Sequence, residues 1–363
     1  MKLAINLTLS LGMLALCVWL IWPDQEAVTG LKHALDTLHW SEFWPYLAGY
    51  VGLLFVVHLC RSLRWNHLLA PLGIRVPPGP LLAISSVGFM AILALPARLG
   101  EFVRPGLLRQ RGGVTASAAL GTVAVERIVD GLLISVMVFV CCVMLHGPQS
   151  PRWMMPMAYI ASGVFAAALL FLIFALWRPV PTVKFCLTCS LLPRFAPRIA
   201  NTIEHKVLDM IRGFSVLKDT KNMLQFLAWS VVYWGANGLG MWVLARGFHL
   251  DLSVLGAFAV MGVVGVGISL PNSPGMVGQF QYVTLLGLTL SLGAAANDKH
   301  AAIYGLTFAY ANMHYFLQVA WYVLAGMLGL ATPWVSFHDL FTARKAAKLE
   351  EPAPSLAQET GAA

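Results

Sequence analysis

The stretch of sequence that decides the fold is residues 115–146, which read TASAALGTVAVERIVDGLLISVMVFVCCVMLH. It is long enough to cross a bilayer, for which about 20 predominantly apolar residues are needed. Only Glu126, Arg127 and Asp130 interrupt it with a formal charge. A surface helix of a soluble protein carries charged residues along one whole face, so this stretch predicts a membrane-spanning helix.

The same apolar character extends over the chain of 363 residues. Hydrophobic residues make up 58% and charged residues only 11%, with a mean hydropathy of +0.74. Soluble domains carry about a quarter charged residues, so a fully hydrated surface is excluded. We therefore predict an all-α membrane protein, a polytopic helical bundle. The further apolar runs are residues 3–22, 46–60, 154–177, 226–245 and 301–330.

The basic residues predict the orientation of this bundle. They collect in four segments, at 61–79, 98–111, 178–222 and 344–348. Basic segments between spans remain in the cytoplasm, which predicts that both termini are cytoplasmic. We expect a single integral membrane domain over residues 1–340, with a cytoplasmic basic loop at 178–222. A short, disordered tail is expected at 341–363.

Part of the basic loop has amphipathic spacing. Within residues 197–218, apolar side chains recur every three or four positions, namely Ile199, Ile203, Val207, Met210, Ile211 and Phe214. This pattern predicts a helix that lies on the membrane surface with these side chains toward the lipid. The basic residues around it are explained by orientation, by general attraction to anionic headgroups, or by binding of one particular lipid.

Two similar interruptions divide the apolar sequence. Residues 95–102 read LPARLGEF, and residues 270–280 read LPNSPGMVGQF. Proline removes a backbone donor and clashes with the preceding helical turn, and glycine permits unusual backbone angles. Both stretches therefore predict broken or re-entrant helices. The residues that make the breaks are Pro96, Gly100, Pro271, Pro274, Gly275 and Gly278.

The two breaks are approached from opposite sides in the predicted topology. Residues 80–96 have basic segments before and after them, so this stretch should enter and return on the cytoplasmic side. The break near Pro271 is approached from outside. Such an arrangement is typical of an inverted repeat, whose breaks build the substrate site of many transporters. The alternative is chance similarity, because the match is short and gapped.

The charges within residues 115–146 need partners. Each charge at the middle of a spanning helix costs roughly 2.5–3.5 kcal/mol. Glu126 and Asp130 are four residues apart and share a face, and Arg127 has the spacing to pair with Asp130. One acid remains, so we expect a basic partner from residues 98–111. The group is either an ion-pair staple between helices or part of a polar cavity, unless the helix extends into the cytoplasm.

A ladder of alternating charge follows the first break. Arg98, Glu101 and Arg104 are spaced three apart, so one helical face can carry all three. Arginine suits bidentate contact with phosphate, the group that phospholipids present. These residues are therefore candidates for binding a lipid headgroup, with interfacial anchoring as the alternative.

Polar stripes on two later spans have either of two explanations. They hydrogen-bond between helices or line a substrate cavity. The stripes consist of Ser230, Tyr233 and Asn237 in one span and of Tyr304, Thr307, Ala311, His314 and Gln318 in the other.

Taken in order, these motifs resemble one known family. The motifs are Pro96-Ala97-Arg98-x-Gly100-Glu101-x-x-Arg104, Glu126-Arg127-x-x-Asp130 and Pro271-x-x-Pro274-Gly275-x-x-Gly278. They resemble the flippase-like family named for the transmembrane domain of lysylphosphatidylglycerol synthases. The resemblance covers about residues 5–335. It implies a multi-pass protein of a bacterial or archaeal inner membrane that moves lipids or lipid-linked glycans between leaflets.

This chain departs from the family pattern at the second break. Met276 replaces a second glycine, and Gln281 stands where the family usually has a glutamate, so a proton or cation role for that acid is doubtful here. The family members that transfer aminoacyl groups carry a large soluble C-terminal domain. The chain ends shortly after the last span, so aminoacyl-phospholipid synthesis is not expected.

We therefore predict a lipid flippase rather than an enzyme, with an anionic phospholipid or lipid-linked precursor as its partner. Arg98, Glu101 and Arg104 would bind the headgroup, and Glu126, Arg127 and Asp130 would form the charge core. We expect no cofactor, no metal and no nucleic acid. The sequence has no Gly-x-x-x-x-Gly-Lys motif that would bind a nucleotide. A homo-oligomer, or an association with proteins of an envelope-lipid pathway, is compatible with this prediction. The alternatives are an intramembrane enzyme that modifies a lipid headgroup and a non-catalytic subunit of an envelope-lipid pathway.

Overall fold

The structure is a computed structural model that describes residues 39–95, 100–109, 115–146, 151–189, 197–269 and 273–335, with Thr29, Lys32 and Asp36. Its helices are α1 (Trp40–Leu63), α2 (Trp65–Leu69), α3 (Pro78–Ala94), α4 (Val103–Arg109), α5 (Ala116–Leu145), α6 (Met154–Trp177), α7 (Pro179–Cys189), α8 (Pro197–Arg212), α9 (Thr220–Gly247), α10 (Val254–Gly267), α11 (Gln279–Leu292) and α12 (Tyr304–Leu330). Short 3-10 turns connect several of them, at Ala70–Leu72, Gly213–Lys218, Pro274–Met276 and Ala294–Asn297.

The predicted all-α class is confirmed. Within the described ranges the regular structure is helical. Four stretches are long and apolar enough to cross a membrane, at Trp40–Leu72, Ala116–Leu145, Met154–Trp177 and Tyr304–Leu330. The predicted span at 3–22 and the tail at 341–363 lie outside the described residues.

The first break forms a helical hairpin, which we call the first hairpin (α3 and α4). A Cβ atom at Gly88 would overlap the side chain of Arg104, and one at Gly100 would overlap the backbone of Ala91 and Ile92. Position 88 lies next to position 104, and positions 91 and 92 lie next to position 100. Residue numbers thus rise along one arm as they fall along the facing arm, so the two arms are antiparallel. The predicted interruption is therefore present, although Pro96 itself lies outside the described residues.

The second break forms a second hairpin, consisting of α10 and α11. Its arms are antiparallel too, because Gly267 lies against Val283 and Gly256 lies against Ser291. Between the arms, Gly275 and Gly278 adopt φ values of 64° and 78°. L-residues with a side chain rarely adopt this left-handed region, so these glycines permit the chain to reverse. Pro274 begins the 3-10 turn here, and Pro271 lies outside the described residues.

The two hairpins meet at the centre of the bundle. Helix α3 contacts the turn Pro274–Met276 of the second hairpin. In addition, α3 packs against α12, the long helix after the second hairpin, and α10 packs against α5, the long helix after the first. An inverted repeat predicts this reciprocity, but the repeat itself and its orientation in the membrane stay predictions.

The predicted basic loop at 178–222 is largely helical where the structure describes it. The interpretation of residues 197–218 as a lipid-facing surface helix is wrong. Ile211 and Phe214 are buried, and Ile203, Val207 and Met210 pack against the same protein core. Helix α8 contacts α5, so its apolar face is covered by protein rather than by lipid.

A charged cavity as the candidate functional site

Five charged side chains form one buried network, which we call the charge cluster. Its members are Arg64, Arg104, Glu126, Arg127 and Asp130. Arg64 follows α1 directly, Arg104 comes from α4, and the other three come from α5. The cluster therefore ties the first span, the first hairpin and the charged span together.

Arg64 lies at the centre of the cluster. Its guanidinium donates to both carboxylate oxygens of Asp130, with Nη1–Oδ1 at 2.7 Å and Nη2–Oδ2 at 2.5 Å. It also donates to Glu126 Oε1 at 3.1 Å and to Ser230 Oγ at 2.8 Å. Fork-shaped arginine–carboxylate pairs of this kind are among the strongest hydrogen-bonded pairs in proteins. Arg64 thus binds both acids at a position where lipid and water are excluded, and Arg104 and Arg127 add to the positive charge around Glu126.

The remaining bonds of the cluster correct one sequence prediction and confirm another. Of the two carboxylates that Arg127 could reach, it pairs with Glu126, to whose Oε1 it donates at 3.0 Å, so the expected pairing with Asp130 is wrong. Asp130 pairs with Arg64 instead, and its carboxylate accepts a further hydrogen bond from Trp234 Nε1 at 3.2 Å. The expected basic partner from residues 98–111 is confirmed as Arg104, whose Nη1 donates to Glu126 Oε2 at 3.1 Å.

A cavity of about 330 Å³ lies beside the cluster, between the two hairpins. Four charged side chains line it, namely Arg61, Glu101, Arg127 and Asp130. Next to them are polar groups from α9 and α12, including Tyr233, Asn237, His314 and Gln318. Much of the remaining wall is apolar or aromatic, with Phe165, Met261, Val264 and Phe280 among its residues. The polar stripes of the sequence thus contribute to a cavity lining.

The structure separates the predicted site residues into two sets. Glu101, Arg127 and Asp130 line the cavity, whereas Arg104 and Glu126 are fully buried behind its wall. Arg104 lies over the rings of Trp65 and Phe89, at 4.2 and 5.1 Å from their centroids. Its position favours a supporting role over direct contact with a headgroup. Arg98 lies outside the described residues.

Sequence reasoning missed Arg61 and Arg64. Both were assigned to membrane orientation, because an arginine at the end of an apolar run usually lies at the interface. The signal that pointed to them was the surplus of buried acid in residues 115–146, which one arginine on the same helix cannot balance. Arg61 lies 4.0 Å from the ring centroid of Phe89 and donates to the Tyr322 hydroxyl at 3.2 Å.

Arg61 differs from the other arginines of this region. Within the parts of the chain that the structure describes, it pairs with no carboxylate, and its hydrogen bond goes to the Tyr322 hydroxyl instead. Counting Arg61 and Glu101 with the cluster, four arginines meet three carboxylates, so the described charges sum to +1. The four charges on the cavity wall balance, and the surplus positive charge appears when the buried members of the cluster behind the wall are included.

Neutral amides hold the second hairpin where it reaches the cavity. Gln281 Oε1 accepts from the backbone N–H of Gly278 at 2.9 Å. Gln279 accepts from the N–H of Ser273 at 3.1 Å and donates to the carbonyl of Gly267 at 3.0 Å. Backbone groups freed by a break must be satisfied inside protein, and these amides satisfy three of them. Gln281 thus caps a helix at the position where a glutamate was expected.

Among the described residues, no group of three or more His, Cys, Asp or Glu side chains is arranged to hold a metal ion. Asp130 accepts three bonds, which leaves it little capacity to act as a base. The arrangement presents arginine donors and an apolar wall to the same cavity.

The fold and the cavity define an all-helical membrane protein with a charged site inside its bundle. Comparison with known families matches residues 4–303 to the lysylphosphatidylglycerol synthase TM region. The chain belongs to this family. Searches among curated proteins and among solved structures found no match.

Proposed function

We propose that the protein moves a phosphate-bearing lipid between the leaflets of a cell's inner membrane, which it crosses several times. One observation carries the proposal. The cavity inside the apolar bundle is lined by Arg61 and Arg127, and Arg61 has no carboxylate partner among the described residues. An unpaired charge within a membrane is costly and marks a functional site by default.

The contrast between Arg61 and the charge cluster supports this function over a purely structural one. A staple between helices needs every charge to be paired, as Arg64, Glu126 and Asp130 are. Arg61 instead lies on the cavity wall and has no carboxylate partner among the described residues. A phosphate group accepts hydrogen bonds from a guanidinium group, so a lipid phosphate supplies the anionic partner that these residues do not.

The composition of the cavity also fits an amphiphile. Charged and apolar walls face each other across the same space, as a molecule with a polar head and an apolar body requires. The family name refers to a phosphatidylglycerol derivative, which supports a glycerophospholipid as the substrate class. We place the protein as a translocator rather than an enzyme, because its buried acids are committed to arginines.

Transfer measured in liposomes tests the proposal. The purified protein is reconstituted with phosphatidylglycerol that carries a fluorophore on its headgroup, and a reductant that cannot cross the bilayer quenches the outer leaflet. We expect wild-type protein to expose inner-leaflet lipid to quenching. Arg61→Gln should slow this transfer roughly tenfold to a hundredfold, because a hydrogen bond to a charged group is worth about 1.5–3 kcal/mol.

Arg75→Gln is the matched control, since Arg75 is exposed and does not line the cavity. It should transfer lipid as the wild type does. Transfer no faster than in protein-free liposomes would overturn the proposal. Recovery of a chemically altered lipid would favour the intramembrane enzyme, and neither transfer nor alteration would favour the non-catalytic subunit.

A further inference from the structure

A second space of about 300 Å³ lies on the flank of the bundle, between α1, α3 and α12. We call it the flank groove. Apart from His58, Ser86 and Thr332, its lining is apolar or aromatic. The apolar part comprises Phe55, Leu59, Gly79, Leu82, Ala83, Trp321, Leu324, Ala325, Leu328, Gly329 and Trp334.

The groove faces the surroundings of the bundle rather than its centre. Phe55, Leu324 and Leu328 are 52%, 57% and 61% exposed. They lie on α1 and α12, two of the stretches long and apolar enough to cross a membrane. Around such helices the solvent is the hydrocarbon of the lipid, so a lipid chain is the occupant that the surroundings supply.

A layer of four rings separates the groove from the central cavity. His58 and Trp321 line the groove, whereas Phe89 and Tyr322 line the cavity. The His58 ring lies 5.8 Å from Phe89, 6.2 Å from Trp321 and 6.3 Å from Tyr322, measured between centroids. His58 therefore contacts both rings of the cavity side, and Trp321 contacts His58 from the groove side.

This layer contains polar nitrogen atoms that lack partners among the described residues. His58 Nε2 lies 2.8 Å from Ser86 Oγ, but His58 Nδ1 is buried without a hydrogen bond. Trp321 Nε1 is likewise buried without a partner. Buried polar groups are nearly always satisfied in proteins, so two adjacent exceptions point to a polar group that arrives from elsewhere, and the N–H of Trp321 requires this group to be an acceptor.

We propose that the flank groove holds the hydrocarbon chains of the lipid whose headgroup occupies the cavity, and that His58 and Trp321 bind the oxygen atoms linking head to chains. With the head on one side of the layer and the chains on the other, the linkage falls among the four rings. Trp321 makes ring-edge contacts there but no hydrogen bond, so its ring moves aside without breaking one. This inference rests on the proposed function.

A substitution that fills the groove tests the chain site. Ala325 lines the groove on α12, whereas Val323 on the same helix lines neither space and is 42% exposed. Ala325→Phe and Val323→Phe are compared with the wild type in liposomes. Two measurements are made, the transfer rate and the labelling of each protein by a phospholipid with a diazirine on its acyl chain.

We expect wild-type protein to be labelled on the groove residues of α1 and α12. Ala325→Phe should lose this labelling and slow transfer severalfold, and Val323→Phe should retain both. If the two variants behave alike while the wild type transfers lipid, the groove inference fails and the proposed function stands. If the wild type shows no transfer but groove labelling is lost only in Ala325→Phe, the chain site stands and the proposed function fails.

A second comparison tests the linkage contact. Trp321→Phe keeps a ring in the layer and removes its N–H. Wild-type protein should transfer ester-linked phosphatidylglycerol about threefold to tenfold faster than the ether-linked analogue, which lacks the carbonyl acceptors. Trp321→Phe should abolish that preference. A preference equal in both proteins, or absent from the wild type, would overturn the role of Trp321.

Discussion

The two hairpins share a construction but differ in the chemistry that holds them. Each has antiparallel arms brought together by glycines, and each reaches the central cavity. The first is held by ion pairs, through Arg104 and Glu126. The second is held by neutral amides, through Gln279 and Gln281. One backbone arrangement thus accepts two different ways of satisfying its buried polar groups.

The difference indicates where the charge is needed. If the ion pairs served only to stabilise a break, amides would suffice, as they do in the second hairpin. The charges instead gather on the side of the cavity lined by Arg61, Glu101 and Arg127. The charged side chains of the cavity wall therefore come from α1, the first hairpin and α5, while the second hairpin contributes uncharged side chains.

The largest loss of stability is expected from a substitution at Arg64. Arg64→Leu leaves the buried Asp130 without an arginine partner among the described residues, while Glu126 keeps Arg104 and Arg127. Removing one partner of a buried ion pair costs about 3–5 kcal/mol, so we expect a large drop in thermal unfolding temperature in detergent. Arg75→Gln is the control and should unfold like the wild type. Equal stability of Arg64→Leu and this control would show that the cluster contributes nothing to the fold.

Gly100→Ala tests the close approach within the first hairpin. A Cβ atom here would overlap the backbone of Ala91 and Ile92, which cannot move aside like a flexible side chain. Forcing extra volume into a packed core costs about 1–3 kcal/mol, and we expect the upper end, measured by thermal unfolding. Gly52→Ala is the control, since a Cβ there meets no atom within 4 Å. Wild-type stability of Gly100→Ala would mean that the arms are not packed at this point.

Gln279→Leu tests the amide support of the second hairpin. It leaves the N–H of Ser273 and the carbonyl of Gly267 without their bonds. An unsatisfied buried group costs about 1–3 kcal/mol, so destabilisation of about 2 kcal/mol is expected from the same unfolding experiment. Gln279→Glu keeps an acceptor for the N–H of Ser273 but loses the donor to the carbonyl of Gly267. Comparing it with Gln279→Leu therefore separates the contributions of the two hydrogen bonds. If Gln279→Leu is neutral, the amides do not support this hairpin.

Gly278→Ala has the smallest expected effect. Its φ of 78° costs an L-residue with a side chain roughly 1–2 kcal/mol. The same change at Gly163, a helical glycine with no atom within 4 Å of a Cβ, should be neutral or slightly stabilising. Wild-type stability of Gly278→Ala would show that the turn does not need a glycine in the left-handed region at this position.

Much of the fold was predictable because each signal was local. The apolar runs predict the long helices, and Pro274 with Gly275 predicts the turn of the second hairpin. The pairing of Glu126 with a base from residues 98–111 was also predictable, since charge must balance inside a membrane.

The site was predicted only in part, because it depends on which helices become neighbours. Arg64 pairs with Asp130, which lies 66 positions further along the sequence. A local sequence pattern covers only a few residues and therefore cannot predict this pair. Helix α8 shows the same limitation. Its amphipathic spacing predicts an apolar face, but the spacing does not say whether lipid or protein covers that face.

By itself, the sequence determined that this protein is a helical membrane protein with two breaks and buried charge, because hydropathy and backbone restriction act over a few residues. Only the tertiary structure decided that Arg64 binds both acids, that Arg104 supports the wall and that Arg61 faces the cavity. An arginine side chain is long, so its guanidinium group pairs with a carboxylate that the fold brings close, whatever the separation of the two residues in sequence. The partners of these arginines therefore follow from helix packing, which the residues of a single helix do not encode.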